Sequence, residues 1–405
     1  MVEIQAFCAL RPSHKCVREV ASLPYDVMTH QEALEMVKHK PHAFLRIDKP
    51  EIEHTETGKV LYEKAGNELK EWIHQGVFVH ETKALYIYEL QSTSSHQFGL
   101  VTLVSAKDYD AGIIKQHEKT REDKKQMRIW HIENCKAHTG LVYLVEPTLE
   151  TLGETLESYA KAHSPLFDEI YEDGVTHRIY KLSEPVLINE LIHAFKTVPC
   201  LYIADGHHRA AAAFHVAQEY GKIFPEATSF LAVIFPKKQL NILAYHRIIQ
   251  NKYGYNKNVI WQQLSLYFTI RPKSEAIYLP TEPHTIGMRY NKAWYELKCK
   301  ASYLASLTGI NRLDVSILQN QILAPVFHIT NPRVDPSIDF VPDRGDPFIL
   351  NARTEDKGQI AFSLFPTSID ELIEVANRNE LMPPKSTWFS PKLRSGFLLH
   401  PFDEL

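Results

Sequence analysis

The segment that most constrains the fold is Asp205-Gly206-His207-His208-Arg209, because it joins an apolar run to a helix-forming run with almost no chain between them. Residues 200–204 form the compact apolar stretch that is typical of a buried strand. Residues 209–220 are rich in alanine and strongly helix-forming. Since glycine permits a sharp turn, the sequence predicts a strand, a tight link and a helix in immediate succession.

This predicted link carries the chemistry of an anion- or phosphate-binding loop. Backbone N–H groups and the positive dipole end at a helix start attract anions, and Arg209 can add paired hydrogen bonds to phosphate oxygens. His207 and His208 can donate to the same anion, or one of them can act as an acid or base. Asp205 can hold a metal, orient a histidine or deprotonate a hydroxyl. The alternative is that Asp205 only caps the helix while the histidines pack or face solvent.

A second charged segment, residues 115–121, continues into a helical stretch that contains Lys124, Lys125 and Arg128. It is not a zinc-protease helix, because the residue four places after His117 is an arginine, so two metal ligands do not share a helix face. His117 and Glu118 are candidates for a general base with flanking cations. The alternative is a solvated helix face held by ion pairs.

The C-terminal loop, residues 382–392, is too rich in proline for regular structure. It offers cations and hydroxyls for phosphate binding, at Lys385, Ser386, Thr387 and Lys392. Alternatively, its aromatic residues anchor the C-terminus to the core. The segment Pro24-Tyr25-Asp26-Val27 is predicted to be an ordinary turn.

The remaining patterns predict an α+β fold, with helices and mixed or antiparallel sheets. A texture change near residue 250 indicates an N-terminal domain, 1–250, that contains the phosphate site, and a C-terminal α+β domain, 251–405, whose terminal loop closes the site. The clearest elements are a helix that starts after Thr29, a helix over 60–75 that ends at Gly76, a hairpin of residues 84–90 with 98–104, and a hairpin of residues 230–235 with 240–245.

Composition and missing motifs exclude several classes of function. A net charge of −4 with interspersed signs argues against a nucleic-acid partner. None of the 16 glycines forms a Gly-x-Gly pair, and no Gly-Lys-Ser or Gly-Lys-Thr occurs, so the dinucleotide fingerprint and the common P-loop are absent. The N-terminus lacks the pattern of a secretory signal, and no apolar run is long enough to span a bilayer. We therefore expect a cytoplasmic protein without a membrane partner.

Four blocks of sequence together resemble the bacterial domain-of-unknown-function family 1015, in order and over almost the whole chain. They are residues 23–27, 110–120, 202–210 and 382–392. The Asp-Gly-His-His-Arg block is also similar to the phosphate loop of the ParB and sulfiredoxin superfamily, which includes nucleotide-dependent kinases of free serine. The chain departs from ParB proteins in lacking a helix-turn-helix and a basic tail. It departs from sulfiredoxin in having His207 or its neighbour in place of the catalytic cysteine.

These resemblances imply a ParB/sulfiredoxin-like core that binds ATP or ADP with Mg²⁺. The implied reaction is transfer of a phosphoryl group to the hydroxyl of a small metabolite, with free L-serine, giving O-phosphoserine, as the first candidate. The predicted base is Glu118, with Asp205 as second choice and as a possible metal ligand, and His207 and His208 stabilise the transferring charge. The predicted phosphate or nucleotide ligands are Gly206, Arg209, His117, Thr120, Lys385, Ser386, Thr387 and Lys392. A non-catalytic, ParB-like nucleotide-binding regulator and a phosphate-ester hydrolase are the alternatives.

Overall fold

The computed structural model of this protein describes residues 1–25, 27–355 and 358–403. The α-helices are α1 (Val17–Val20), α2 (His30–His39), α3 (Leu45–Asp48), α4 (Lys59–His74), α5 (Ala106–Asp110), α6 (Glu122–Cys135), α7 (Leu152–Ala162), α8 (Pro185–Phe195), α9 (His207–Tyr220), α10 (Lys257–Leu264), α11 (Ala301–Leu304), α12 (Asp314–Leu318), α13 (Ala324–Phe327), α14 (Ile349–Ala352) and α15 (Ile369–Asn377). A π-helical turn, Gln319–Leu323, joins α12 to α13, and 3-10 turns cover Pro50–Ile52, Pro225–Thr228, Lys237–Gln239 and Gly309–Arg312.

The β-strands are β1 (Ile4–Gln5), β2 (Leu10–Pro12), β3 (Phe78–His80), β4 (Leu85–Gln91), β5 (His96–Ser105), β6 (Ile114–Lys115), β7 (Ala137–His138), β8 (Val142–Glu146), β9 (Phe167–Ile170), β10 (Thr176–Leu182), β11 (Leu201–Asp205), β12 (Ser229–Pro236), β13 (Asn241–Leu243), β14 (Tyr245–Gln250), β15 (Phe268–Lys273), β16 (Thr285–Tyr290), β17 (Ala293–Cys299), β18 (Ile338–Pro342), β19 (Gln359–Leu364), β20 (Trp388–Ser390) and β21 (His400–Pro401). Together with the helices they confirm the predicted α+β class with mixed and antiparallel sheets. No helix in the described part of the chain is both long and apolar enough to cross a membrane.

The chain divides into two compact units, Met1–Leu240 with the segment that begins at Pro391, and Asn241–Ser390. This division differs from the predicted boundary near residue 250 in two ways. The second unit starts earlier because β14 pairs with β18 and β19. The C-terminal segment belongs to the first unit because β21 pairs with β7, and because Leu399 bridges to Leu10.

The first unit is built on a mixed sheet with strand order β6-β11-β8-β12-β5-β4-β10-β9, and β1 pairs with β5. One core cluster packs α9 against this sheet, and Ala210, Ala213 and Val216 are among the residues that this helix contributes. Small side chains let the helix lie close to the strands, which accounts for the alanine-rich sequence. The parallel pair β6 and β11 matters for the site, because both strands end at the same edge of the sheet.

Local signals explain why several helices begin and end where they do. Thr29 accepts a hydrogen bond from the Glu32 backbone while the Glu32 side chain accepts one from the Thr29 backbone, so a capping box starts α2 as predicted. The predicted helix over 60–75 is α4, and Gly76 follows it with φ +74°, a left-handed conformation that glycine adopts without strain.

The second unit contains an antiparallel sheet with strand order β15-β17-β16-β19-β14-β18, and a separate pair of β13 with β20. Its core cluster includes Ile248, Trp294 and Leu350. Residues 314–323 form α12 followed by the π-helical turn.

The two hairpin predictions had different outcomes. The hairpin of residues 84–90 with 98–104 is confirmed, since β4 and β5 pair antiparallel. The hairpin of residues 230–235 with 240–245 is wrong, because β12 lies between β8 and β5 while β13 pairs with β20. Alternating apolar residues indicate a strand, but they do not identify its partner. The segment 382–392 also contains β20, so its irregular part is shorter than predicted.

Candidate functional site

The strand, turn and helix predicted around residue 205 are present as β11, Gly206 and α9. Gly206 has φ +94°, and its backbone N–H donates to the Asp205 carboxylate over 2.8 Å. An added Cβ at this glycine would meet its nearest atoms at 3.4 Å, an ordinary contact. The glycine is therefore required by the backbone conformation of the turn rather than by lack of space.

Two histidines of α9 hold the loop that follows β6. The His117 backbone N–H donates to His207 Nε2 over 3.4 Å, and the Arg121 backbone N–H donates to His208 Nε2 over 3.0 Å. Glu118 and Thr120 lie between these two attachment points, and both are half-buried. The structure thus brings the predicted base segment against the predicted phosphate loop.

Burial keeps His117 and His207 uncharged at neutral pH. Burial lowers the pKa of His207 to about 4, against the opposing effect of the Asp205 carboxylate. Burial, with a smaller effect of His207, places the pKa of His117 well below its usual range. The two rings lie edge to face with their centroids 4.5 Å apart. A neutral imidazole that accepts a backbone N–H can position a loop, but it supplies no positive charge.

Asp205 is held as a carboxylate by Lys392, whose Nζ lies 2.8 Å from Oδ2. Burial alone would raise the pKa of Asp205, but the charges of Lys392 and Arg209 outweigh it and keep that pKa well below its usual range. The Asp205 side chain is 31% exposed and the Lys392 side chain is 14% exposed. The last segment of the chain therefore contributes a cation directly to the Asp-Gly-His-His-Arg turn.

Arg209 points toward the start of β8 and toward Tyr25. Its guanidinium donates to the Leu141 carbonyl over 3.1 Å, and its Cζ lies 5.5 Å from the centroid of the Tyr25 ring. The Cζ of Arg128 lies 4.1 Å from the same ring. The segment predicted to be an ordinary turn thus places an aromatic ring beside two guanidinium groups, while Asp26 lies outside the described residues.

Three of the predicted phosphate ligands belong to the second unit. The Lys385 Nζ lies 5.6 Å from the centroid of the Tyr245 ring, Ser386 Oγ donates to the Pro383 carbonyl over 2.7 Å, and Thr387 is half-buried. Lys385 has φ +55°, and its carbonyl accepts a hydrogen bond from the buried Arg247. Their role in nucleotide binding stays a prediction.

Sequence reasoning missed a buried group beside Arg209. Arg128 was grouped with a solvated charge run, yet it is buried and donates to the carboxylate and the carbonyl of Asp48 over 3.1 and 2.9 Å. His131 donates to the Ile47 carbonyl over 3.0 Å, and burial lowers its pKa to about 4. A helical projection of α6 places residues 128, 131, 132 and 135 on one side. This spacing was the sequence signal that could have identified Arg128 as buried.

Metal binding by side chains alone has no support in the geometry. The described residues contain no group of three or more His, Cys, Asp or Glu side chains that could hold a metal ion. Mg²⁺ commonly keeps several waters and binds one or two carboxylates together with substrate phosphates. Binding of Mg²⁺ by Asp205 together with a nucleotide stays a prediction.

Comparison with known proteins identifies the family to which this chain belongs. The model of the family described as "Protein of unknown function (DUF1015)" matches residues 4–316. No curated protein matches the chain. Among solved structures, SbnI with a C-terminal truncation from Staphylococcus aureus is 12% identical, with 72% of this chain and 84% of that chain covered and a TM-score of 0.40.

Two further structures are similar to the same extent. A free serine kinase mutant in complex with ADP is 11% identical, with 71% and 87% of the two chains covered and a TM-score of 0.38. A conserved hypothetical protein from Pyrococcus furiosus is 12% identical, with 72% and 92% covered and a TM-score of 0.36.

Proposed function

The chain belongs to the DUF1015 family, whose description names no activity, and we propose from its site that it is a nucleotide-dependent kinase of a small hydroxyl metabolite. Free L-serine is the first acceptor to test, with O-phosphoserine as the product. One observation carries the proposal: the Glu118 loop is fixed at both ends to the first turn of α9, the turn that bears Arg209. The backbone segment that carries Glu118 is thereby held against the start of α9, and this supports the proposal.

The phosphate-binding side consists of the α9 start, Arg209 and Lys392. The helix has 14 residues, so its N-terminus carries a substantial dipole, and the left-handed Gly206 turns the chain directly into it. Arg209 offers the planar donor set that suits phosphate oxygens. Lys392 contributes a second positive charge next to Asp205. Charge neutralisation of this kind supplies most of the acceleration in phosphoryl transfer.

Glu118 is the better base of the two predicted carboxylates. The pKa of Asp205 is held low by Lys392 and Arg209, despite its burial, so this carboxylate is a poor proton acceptor near neutral pH. Glu118 lies one residue after the His117 attachment and within the loop fixed to α9. Asp205 instead suits the role of positioning Lys392 and receiving Mg²⁺ that enters with the nucleotide.

The reaction follows from these roles. The Glu118 carboxylate takes the proton of the acceptor hydroxyl while the hydroxyl oxygen forms a bond to the terminal phosphorus of the nucleotide. The bond between that phosphorus and the bridging oxygen breaks, and the shortened nucleotide leaves with the electron pair. Arg209 and Lys392 neutralise the charge on the transferring group. His207 and His208 keep the loop in register, because their Nε2 atoms accept its backbone N–H groups.

The test is an incubation of the purified chain with Mg²⁺, ATP or ADP and a panel of hydroxyl metabolites led by L-serine, followed by mass spectrometry. We expect a phosphorylated acceptor, and we expect it to be lost in Arg209→Ala. Arg378→Ala is the matched control, because Arg378 is exposed directly after the end of α15 and pairs with Glu374 of that helix.

Other outcomes would point to the two alternatives. Nucleotide binding without any product would favour a regulatory nucleotide-binding protein. Free phosphate without a phosphorylated acceptor would favour hydrolysis, since water would then be the acceptor.

A further inference from the structure

Lys392 lies on a stretch of the first unit that forms neither helix nor strand. This stretch, residues 391–394, follows β20 in the chain and precedes the bridge between Ser395 and Ser22. Regular backbone hydrogen bonds therefore do not determine where the Lys392 ammonium lies. Since that ammonium is 2.8 Å from the Asp205 carboxylate, contacts of neighbouring residues have to hold the stretch in place.

Arg394, two positions after Lys392, makes three contacts to other parts of the first unit. Its side chain is 3% exposed, and a terminal nitrogen of the guanidinium donates to the Asp173 carboxylate over 2.9 Å. The Cζ atom lies 3.7 Å from the centroid of the Tyr171 ring, which is close enough for a cation–π contact. The backbone N–H of Arg394 donates to the Tyr88 hydroxyl over 3.1 Å. Both the side chain and the backbone of this residue are thus fixed.

The groups that hold Arg394 are held in turn by the sheet. Tyr88 is fully buried on β4, and its hydroxyl also bonds to His177 Nδ1, over 2.8 Å, on the neighbouring strand β10. Tyr171 is buried, and its backbone N–H donates to the Val175 carbonyl over 3.2 Å within the connection between β9 and β10. Arg394 is therefore attached to a part of the molecule that has little freedom to move.

The next residue, Ser395, extends this attachment. Its backbone N–H donates to the Ser22 carbonyl over 2.8 Å, and its carbonyl accepts the Ser22 N–H over 3.1 Å. Its hydroxyl donates to the buried Asp48 carboxylate over 3.0 Å. Two consecutive residues are thus fixed, and at most about 7 Å of extended chain separates the Cα atoms of Lys392 and Arg394. The position of Lys392 is therefore restricted by the anchoring of Arg394.

We propose that Arg394 is a positioning residue, which holds Lys392 beside the Asp-Gly-His-His-Arg turn and so determines how tightly the turn binds the phosphates of a nucleotide. Arg394 acts through Lys392 and does not itself touch the phosphates. Its contribution comes from preorganisation, because an ammonium that is already in place loses less conformational freedom when an anion binds. The role of phosphate in this assignment rests on the proposed kinase function, whereas the placement of Lys392 does not.

The first test is a double-mutant cycle in which calorimetry measures the binding of ADP with Mg²⁺. The four chains are wild type, Lys392→Met, Arg394→Gln and the double variant. We expect Arg394→Gln to weaken ADP binding by about tenfold. The double variant should bind ADP no more weakly than Lys392→Met alone, because no ammonium is left to position. A merely structural role would make the two losses add. Additive losses, or wild-type affinity in Arg394→Gln, would overturn the proposal.

Two further variants separate positioning from a general loss of stability, and thermal unfolding checks that each variant folds. Asp173→Asn breaks the ion pair from its 38% exposed end, so it should weaken ADP binding less than Arg394→Gln does. Arg11→Gln is the control, because Arg11 pairs with Glu81 over 2.6 Å and its Cζ lies 5.5 Å from the centroid of the Phe167 ring. We expect Arg11→Gln to bind ADP like wild type, and an equal loss in this control would overturn the proposal. If Arg394→Gln does not fold, wild-type affinity in Asp173→Asn would overturn it.

A measurement without nucleotide distinguishes failure of this proposal from failure of the kinase function. Urea unfolding of Lys392→Met, Asp205→Asn and their double variant gives the coupling between the two side chains, and the same cycle is repeated in the Arg394→Gln and Asp173→Asn chains. We expect a smaller coupling there, because the ammonium is no longer held 2.8 Å from the carboxylate. Smaller coupling without ADP binding or a phosphorylated acceptor would keep the positioning role and remove the kinase. Unchanged coupling together with phosphorylation of L-serine would keep the kinase and remove the positioning role.

Discussion

Replacement of Lys392 by methionine removes the ammonium group 2.8 Å from the Asp205 carboxylate and keeps a flexible aliphatic side chain of similar length. At an effective dielectric constant of about 20, unit charges at this separation attract by about 6 kcal/mol. Desolvation of both groups offsets much of that attraction. Breaking a fully buried pair costs about 3–5 kcal/mol, and the partial exposure of this pair reduces the expected loss of unfolding free energy to about 2–3 kcal/mol.

The pH dependence of this loss has a definite sign. Because the pKa of Asp205 is lowered in the folded protein, its carboxylate stabilises the fold above the unfolded-state pKa of about 3.9. That contribution disappears as the pH falls toward the folded-state pKa. The difference in free energy of unfolding between wild type and Lys392→Met should therefore have its full size at pH 7 and should shrink as the pH falls below about 5.

The assay is urea unfolding of both chains at pH 7 and pH 4, with Lys161→Met as the control. Lys161 pairs with Glu157 over 2.7 Å within α7 and is 71% exposed, so its removal should cost less than about 0.5 kcal/mol. Addition of Asp205→Asn to Lys392→Met should restore part of the lost stability, because no unpaired carboxylate remains. Equal stability of wild type and Lys392→Met at pH 7 would refute the reasoning.

Three further substitutions test other contacts by urea unfolding or hydrogen exchange. Gly206→Ala should lower the free energy of unfolding by about 1–2 kcal/mol, because φ is +94° at this position. A variant as stable as wild type would contradict the left-handed turn. Arg128→Leu should lower the free energy of unfolding by about 3–5 kcal/mol, because the Asp48 carboxylate is left buried without its cationic partner. A loss below about 1 kcal/mol would contradict a buried ion pair. Arg247→Met removes the donor to the Lys385 carbonyl, so amide exchange around Lys385 should become faster, while an unchanged rate would show that Arg247 does not hold that loop.

Local features of the fold could be predicted well from the sequence. The capping box at Thr29, the glycine after α4 and the turn at Gly206 each follow from the chemistry of a few neighbouring residues. The hairpin of β4 and β5 was also accessible, since a short polar link joins two alternating runs. These signals come from residues that are close together in the sequence, where few backbone conformations compete.

Non-local pairing could not be predicted in the same way. Residues 230–235 and 240–245 have the pattern of a hairpin, yet their strands have partners far away along the chain. Lys392 meets Asp205 across 187 positions, which no periodicity in either segment encodes. Such partners are chosen by the packing of the whole sheet.

The candidate site was predicted in its parts but not in its arrangement. The Asp-Gly-His-His-Arg turn and the Glu118 loop were both identified, and the structure adds the hydrogen bonds that join them. Arg128 was missed because its neighbours Lys124 and Lys125 made the segment resemble a solvated charge run. Tyr25 was missed because a Pro-Tyr-Asp sequence has the composition of an ordinary turn, which conceals its contact with two guanidinium groups.

The most direct test of the central claim is the rate of L-serine phosphorylation by Glu118→Gln, compared with Glu122→Gln as an exposed neighbour on α6. Loss of a general base should lower the rate by about 10²–10⁴-fold while nucleotide affinity is retained, and Glu122→Gln should match wild type. A Glu118→Gln chain that phosphorylates L-serine at the wild-type rate would contradict the assigned base, and a wild-type chain that forms no phosphorylated acceptor would contradict the kinase itself.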